Sequence, residues 1–284
     1  MILITGATGH VGRELVRILA ARGEPARALV RSPGRAAGLP PGVEAAVGDL
    51  DDPASLVAAF QGADRLFLLV PGIAHQPAVN ALEAASAAGV RHVVYLSSYA
   101  VAARPLPAMG RWHSEREELV RASGLVATFL RPCGFMTNTL DWLPTLRAGG
   151  YVLDPVGPGR AALIDPYDIA AVAVAALDDP GRVDHAPVLT GDHPLTVAEQ
   201  AAVLAAATGI EIEVREVRTP EEAVRFRYPD GAPPALAEAL VEGLRLMRSD
   251  TAGLRTDSVR EILGRAPRSF ASWCERNADV FPTA

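Results

Sequence analysis

The chain contains no lysine: the 27 basic residues among its 284 are all arginine. A Schiff-base lysine is thereby excluded, and so is the Tyr-x-x-x-Lys pair that protonates carbonyls in many reductases. Cysteine is scarce as well. Cys133 and Cys274 lie far apart with no C-x-x-C pair, which excludes a disulfide framework and suits a reducing, cytoplasmic setting. The six histidines lack metal-ligand spacing, so no metal is expected. A net charge of −6, with no arginine cluster interleaved with aromatics, argues against a nucleic-acid partner. Long hydrophobic runs are also missing. The most apolar stretch, "LFLLVPGIA" from Leu66, is broken at Pro71, so no membrane partner is expected. Arg13, Glu14 and Arg17 exclude a signal peptide at the start.

What is present is a globular composition: 49% hydrophobic, 21% charged, with 25 glycines and 23 prolines as punctuation. Short apolar runs alternate with helix-period segments. Strands are expected at Ile2–Thr5, Ala26–Val30, Val43–Val47, Arg65–Val70, His92–Leu96 and Val126–Leu130. Helices are expected at Val11–Arg22, Ala54–Phe60, His75–Ala88 and Arg111–Ser123. Gly23, Gly62, Gly89 and Gly124 stand where helix ends want a left-handed residue. The strands are continuously apolar, as when both faces of a parallel sheet are buried. The expected fold class is α/β, a doubly wound parallel-sheet Rossmann domain with a smaller α/β substrate-side lobe.

From Phe135 the rhythm loosens. A helical stretch to about Leu146, a strand at Ala161–Ile164, the helix "YDIAAVAVAAL" and the strand "APVLTG" are expected. Helix Val197–Thr208, strand Ile210–Val217 and two or three amphipathic helices follow. The expected division is a nucleotide-binding core over 1–134, to which the chain returns at about 161–191. The lobe takes 135–160 and 192–284, and the assembly is a monomer or homodimer.

The chemistry-bearing motif is "TGATGHVG", with Gly6, Gly9 and Gly12 between a buried strand and an amphipathic helix. Gly6 permits the turn, Gly9 lets backbone approach a ligand, and Gly12 lets the helix pack on the sheet. The helix start at Thr8, His10 and Val11 then offers free N–H groups to a pyrophosphate. This is the layout of a dinucleotide site. Where NAD enzymes carry an acid after the second strand, "ALVRSPGR" carries Arg31 and Arg35, which favour a 2′-phosphate. NADP(H) is therefore preferred and NAD(H) is the second option; the alternative is that Arg31 is a solvated loop charge. Ser97, Ser98 and Tyr99, in "YLSSYA", stand at the sheet's carboxyl edge, where ligands sit.

The Gly-x-x-Gly-x-x-Gly spacing, "AAGVRHVVYLSS" and "SGLVATFLRPCGFMTN" resemble the atypical extended short-chain dehydrogenase/reductases. NmrA-like proteins and NADPH-dependent quinone reductases typify that branch. The resemblance implies that Asp49 and Leu50 lie beside the adenine, while the residues by themselves read Asp51 or Asp52, before Pro53, as the cap of the following helix. It places Leu69, Val70 and Pro71 along the ribose, and Pro132, Cys133 and Gly134 beside the carboxamide. His113, in "RWHSEREELV", occupies the position where such proteins often have lysine. It is expected to donate a proton, to hold the ribose, or to be a structural histidine, with Glu117 one helical turn on to orient it. Tyr99 is the second candidate for proton transfer. Cys133 reads either as a reactive thiol or as a small core residue, and the second is favoured. Met109 and Trp112, from the loop before this helix, and Phe135, Met136 and Trp142 offer apolar area to a small aromatic or quinone-like substrate. Three functions stay open: an NADPH-dependent oxidoreductase acting on quinones or conjugated carbonyls, an NmrA-type cofactor-sensing regulator, and a tailoring ketoreductase or isomerase.

Overall fold

Seven parallel strands form one sheet in the order β3-β2-β1-β4-β5-β6-β8. The computed structural model describes residues 1–181, 183 and 185–282. The chain begins with β1 (Ile2–Ile4), α1 (His10–Ala21), β2 (Ala26–Val30), β3 (Glu44–Val47) and α2 (Pro53–Phe60). It continues through β4 (Arg65–Leu68), α3 (Gln76–Ala88), β5 (His92–Leu96), α4 (Ala108–Ala122) and β6 (Val126–Pro132). The strand order reverses between β1 and β4, and that switch point is where open α/β sheets bind ligands.

Alternate residues of the central strands β1, β4 and β5 enter different cores, which explains why these strands read as continuous apolar runs, whereas β3 is a largely exposed edge strand. On one face Ile2, Ile4, Phe67, Val94 and Leu96 pack with Leu15 and Leu19 of α1. On the other, Leu3, Leu66, Leu68, Val93 and Tyr95 pack with Leu56, Phe60, Leu82 and Val120 of α2, α3 and α4. Asp52 caps α2 by accepting from the Ala54 N–H at 3.2 Å, with Pro53 in the first turn. Gly23, Gly62, Gly89 and Gly124 all have left-handed φ, between +67° and +78°.

After β6 the chain runs through a 3₁₀ turn over Met136–Trp142, α5 (Leu143–Gly149) and β7 (Tyr151–Asp154). It returns to the sheet with α6 (Pro166–Asp178), which packs on α1, and β8 (Val188–Leu189). The remainder is α7 (Val197–Thr208), β9 (Glu213–Glu216), α8 (Pro220–Arg227), α9 (Pro234–Ser249), α10 (Ser258–Leu263) and α11 (Phe270–Arg276). β7 and β9 pair in a small parallel sheet of their own. A third apolar cluster, centred on Met136, Leu204 and Trp273, lies among these later elements.

Four expectations need correction. The helix over 135–146 is a 3₁₀ turn followed by α5, because Pro144 favours a helix start there. Residues 161–164 form only isolated bridges, Ala161 with Leu195 and Ile164 with Phe135, and no ladder. Four helices, not two or three, follow β9. The helix expected from Arg111 begins at Ala108, so Met109 and Trp112 lie within α4 and not in the loop before it.

Candidate functional site

The β1–α1 turn is built so that only glycine fits. Gly6 has φ +63°, and its carbonyl accepts from the Gly9 N–H at 2.9 Å. A Cβ on Gly12 would stand 2.1 Å from the Gly6 oxygen, and one on Gly9 would stand 3.2 Å from it. The Thr5 hydroxyl ties the turn to the next strand, donating to the Leu69 carbonyl at 2.8 Å and accepting its N–H at 2.7 Å. No side chain caps α1 at Gly9, and its first turn holds no acid. The amides of its first turn, around His10, Val11 and Gly12, have no intrahelical partner, beside a turn already stripped of side chains. That arrangement fits a dinucleotide pyrophosphate. Partial burial, then Arg13, hold the His10 imidazole below its ordinary pKa, against the pull of Asp141.

At the end of β2, Arg31 and Arg35 are exposed, and among the described residues neither makes an ion pair or side-chain hydrogen bond. No acid stands beside them in sequence. The Asp49 carboxylate accepts from the Asp51 N–H at 3.1 Å. Leu50 and Val70 are buried in the α2/α3 core, Leu69 is half-buried, and Pro71 is exposed. A Cβ on Gly6 would touch the Leu69 side chain at 3.2 Å, so these two chain segments line one edge of the same groove.

The carboxyl ends of β5 and β6 face α4. His113 Nδ1 lies 3.3 Å from the Tyr95 hydroxyl. Burial, then Arg116, push the His113 pKa down to about 4 against Glu117, so the ring is neutral at pH 7. Glu117 does not orient it, contrary to the helical-turn expectation. Its carboxylate accepts from Ser97 Oγ at 2.7 Å, Arg131 Nη2 at 2.6 Å and Arg121 Nη2 at 2.8 Å. The Ser97 hydroxyl is thereby committed to Glu117, and the Ser98 hydroxyl accepts from the Ala100 N–H. Tyr99, half-buried in the 3₁₀ turn after β5, has its phenol pKa raised chiefly by burial. Cys133 is a core residue: its thiol donates to the Ala162 carbonyl at 2.7 Å, and burial pushes its pKa to about 12. Pro132 is buried beside it.

Residues 161–164 form the seam between this edge and the later elements. Ile164 packs in the α1/α6 core, while Leu163 turns to the third cluster and with Ala161 lines a cavity of about 570 Å³. Leu153, Leu195, Leu240, Leu244 and Met247 are part of its apolar wall, and Asn138, Gln200, Arg160 and the Asp141–Arg227 ion pair are among its polar groups. Of the five side chains expected to meet a substrate, only Trp142 lines this cavity. Met136 is buried in the third cluster, Phe135 packs on the α1/α6 core, and Met109 and Trp112 are half-buried on α4. The missed wall had a trace in sequence, because Leu240, Leu244 and Met247 recur at helical spacing in α9. That spacing does not tell a core from a cavity.

Residues 6–180 match the NAD(P)H-binding family. The chain belongs to it. An NAD(P)H azoreductase of Xenophilus azovorans is 37% identical over 287 residues, covering 100% of both chains. A (4-alkanoyl-5-oxo-2,5-dihydrofuran-3-yl)methyl phosphate reductase of Streptomyces griseus subsp. griseus is 38% identical over 282 residues, covering 99% of each. Among solved structures, the NADPH-dependent quinone oxidoreductase of Escherichia coli complexed with NADPH aligns with a TM-score of 0.80 at 26% identity. The alignment covers 97% of this chain and 99% of that one. This NAD(P)H-binding protein is an NAD(P)H-dependent oxidoreductase.

The uncapped α1 and the glycine turn have the geometry that a pyrophosphate needs, and the buried edge of β5 and β6 carries no lysine. Among the described residues there is no cluster of three or more metal-ligating side chains, and no helix is long and apolar enough to cross a membrane.

Proposed function

We propose that the protein reduces flat, conjugated acceptors (quinones, azo compounds or aromatic carbonyls) with NADPH. The observation that carries this reading is the protonation of the carboxyl edge. His113 is neutral at pH 7, the Tyr95 phenol is pushed up to about 12, Tyr99 is raised as well, and lysine is absent. No group there is a strong proton donor. An isolated ketone needs a proton delivered as hydride arrives, whereas a conjugated acceptor spreads the developing charge over its own π system. The largely apolar cavity beside Leu163 suits such an acceptor, and the azoreductase and quinone oxidoreductase named above reduce molecules of this kind.

In this reading residues 1–134 with 161–191 hold the cofactor, and 135–160 with 192–284 shape the acceptor site. The pyrophosphate rests on the first turn of α1, Arg31 and Arg35 take the 2′-phosphate, and His113 holds the nicotinamide ribose or the acceptor through Nε2–H. Bound NADPH supplies the hydride, and water supplies the proton that completes the two-electron reduction.

The test is NADPH consumption with a panel of quinones, azo dyes, aromatic aldehydes and saturated ketones. Turnover of the conjugated acceptors, with saturated ketones inert, is expected. Preferential use of saturated ketones overturns the reading, and so does tight NADPH binding with no acceptor consumed, which is the behaviour of a sensor.

A further inference from the structure

The geometry points to Tyr95 as the positioning residue for His113: its hydroxyl donates to Nδ1 and holds the ring in the neutral tautomer with its proton on Nε2. Tyr95 is 0% exposed, so its O–H proton has no water to bond. The Nδ1 atom at 3.3 Å is an acceptor within reach. If His113 donated instead, the Tyr95 proton would be buried without a partner, a penalty of about 1–3 kcal/mol.

A second group enforces the same direction. Arg116 is 2% exposed, and its Nη2 donates to the Gly72 and Ala74 carbonyls at 2.7 and 2.9 Å. Its positive charge acts on the Tyr95 hydroxyl, and a guanidinium has only protons to offer. A cation on that side favours the arrangement in which the Tyr95 proton points toward Nδ1. The Tyr95 ring is braced against Phe129, edge to face, at a centroid distance of 6.5 Å. Glu117, the nearest carboxylate on α4, is occupied by Ser97, Arg121 and Arg131. Nε2 makes no hydrogen bond among the described residues. The Tyr95–His113 pair thus leaves one directed N–H donor at the position where the resembling reductases often carry lysine. A neutral donor orients a ribose or acceptor oxygen without supplying a mobile proton.

The tautomer stands on geometry alone, and its kinetic consequence rests on the contact proposed for His113. Nitrogen-15 NMR of histidine-labelled full-length protein at neutral pH reads the tautomer, with His113→Gln assigning the signal. The expected spectrum has Nδ1 unprotonated and hydrogen-bonded and Nε2 protonated; a proton on Nδ1 overturns the inference. Tyr95→Phe is expected to shift the Nδ1 signal and lower kcat about tenfold, with a smaller change in KM for NADPH. The double variant Tyr95→Phe/His113→Gln is expected to be no slower than His113→Gln alone, whereas multiplying losses overturn the inference. Should Tyr95→Phe fail to fold, the spectrum of the unaltered protein decides. If that protein reduces no acceptor, the proposed function falls and the spectrum still judges Tyr95.

Discussion

Glu117 and Arg131 meet between α4 and β6 in a two-pronged ion pair, Nη2 to Oε2 at 2.6 Å and Nε to Oε1 at 2.9 Å, with the carboxylate side chain 1% exposed. Burial alone would raise the Glu117 pKa, but hydrogen bonds from Arg131, Ser97 and Arg121 more than offset it and hold the carboxyl below its ordinary value. The stability this contributes is complete above the unfolded carboxylate pKa and is lost as pH falls through the folded one. Glu117→Gln leaves Arg131 partly buried without a counter-charge. The expected cost is about 3–5 kcal/mol in urea unfolding at pH 7, shrinking below the ordinary carboxylate range.

Gly12→Ala tests the cradle. Its Cβ would stand 2.1 Å from the Gly6 carbonyl oxygen, so α1 must move away from the turn that it anchors. NADPH affinity is expected to fall more than about tenfold and Tm to drop, measured by fluorescence titration and thermal unfolding. Gly243→Ala, in α9, where a Cβ meets nothing within 4 Å, is the control and is expected to lower neither.

The sheet and the glycine turn were legible in sequence because local chemistry dictates them. Buried parallel strands must be apolar on both faces, and a turn with no room for Cβ must be glycine, so β1 to β6 and the triplet at Gly6, Gly9 and Gly12 stand out unaided. Tyr95 was invisible for the same reason. In "VVYL" it reads as one more strand residue, and nothing local shows that its hydroxyl meets a histidine 18 positions on. Glu117 was legible as a neighbour of His113 by helical spacing, but Arg131 and Ser97 reach it from other strands and take it. The cavity wall at Leu195 and Leu244 is equally non-local, since it depends on how α7 and α9 pack.

Arg31→Asp separates cofactor choice from cofactor binding. Arg31 and Arg35 are exposed and have no partner among the described residues, and a carboxylate at 31 would repel a phosphate while accepting ribose hydroxyls. The ratio of kcat/KM for NADPH over NADH is expected to fall at least about tenfold, measured with one acceptor. Equal losses for both cofactors would show that Arg31 does not meet the 2′-phosphate.

Cys133 gives a prediction about reactivity. With its thiol bonded to the Ala162 carbonyl and its pKa near 12, almost no thiolate exists at pH 7.5. Iodoacetamide is expected to leave Cys133 unmodified in the folded protein and to modify it in denaturant, read by peptide mass. Rapid labelling of the folded protein would put the thiol at the surface and contradict its place in the core.

His113 ties the site to acid stability. Its folded pKa of about 4 lies below the 6.5 of an unperturbed histidine, first through burial and then through Arg116, and His10 and His92 are lowered by burial as well. Between those two pH values the unfolded chain takes up protons that the folded one refuses, so stability falls as pH falls across that window. For His113 the change is on the order of 3 kcal/mol over the whole interval. His113→Gln is expected to flatten the pH dependence of urea unfolding between pH 6.5 and 4, with His10 and His92 supplying the remaining slope. The same shift removes any limb from His113 in the kcat profile between pH 6 and 8. A limb there that disappears in His113→Gln would mean that the ring titrates during turnover and acts as an acid, and not as a fixed neutral donor.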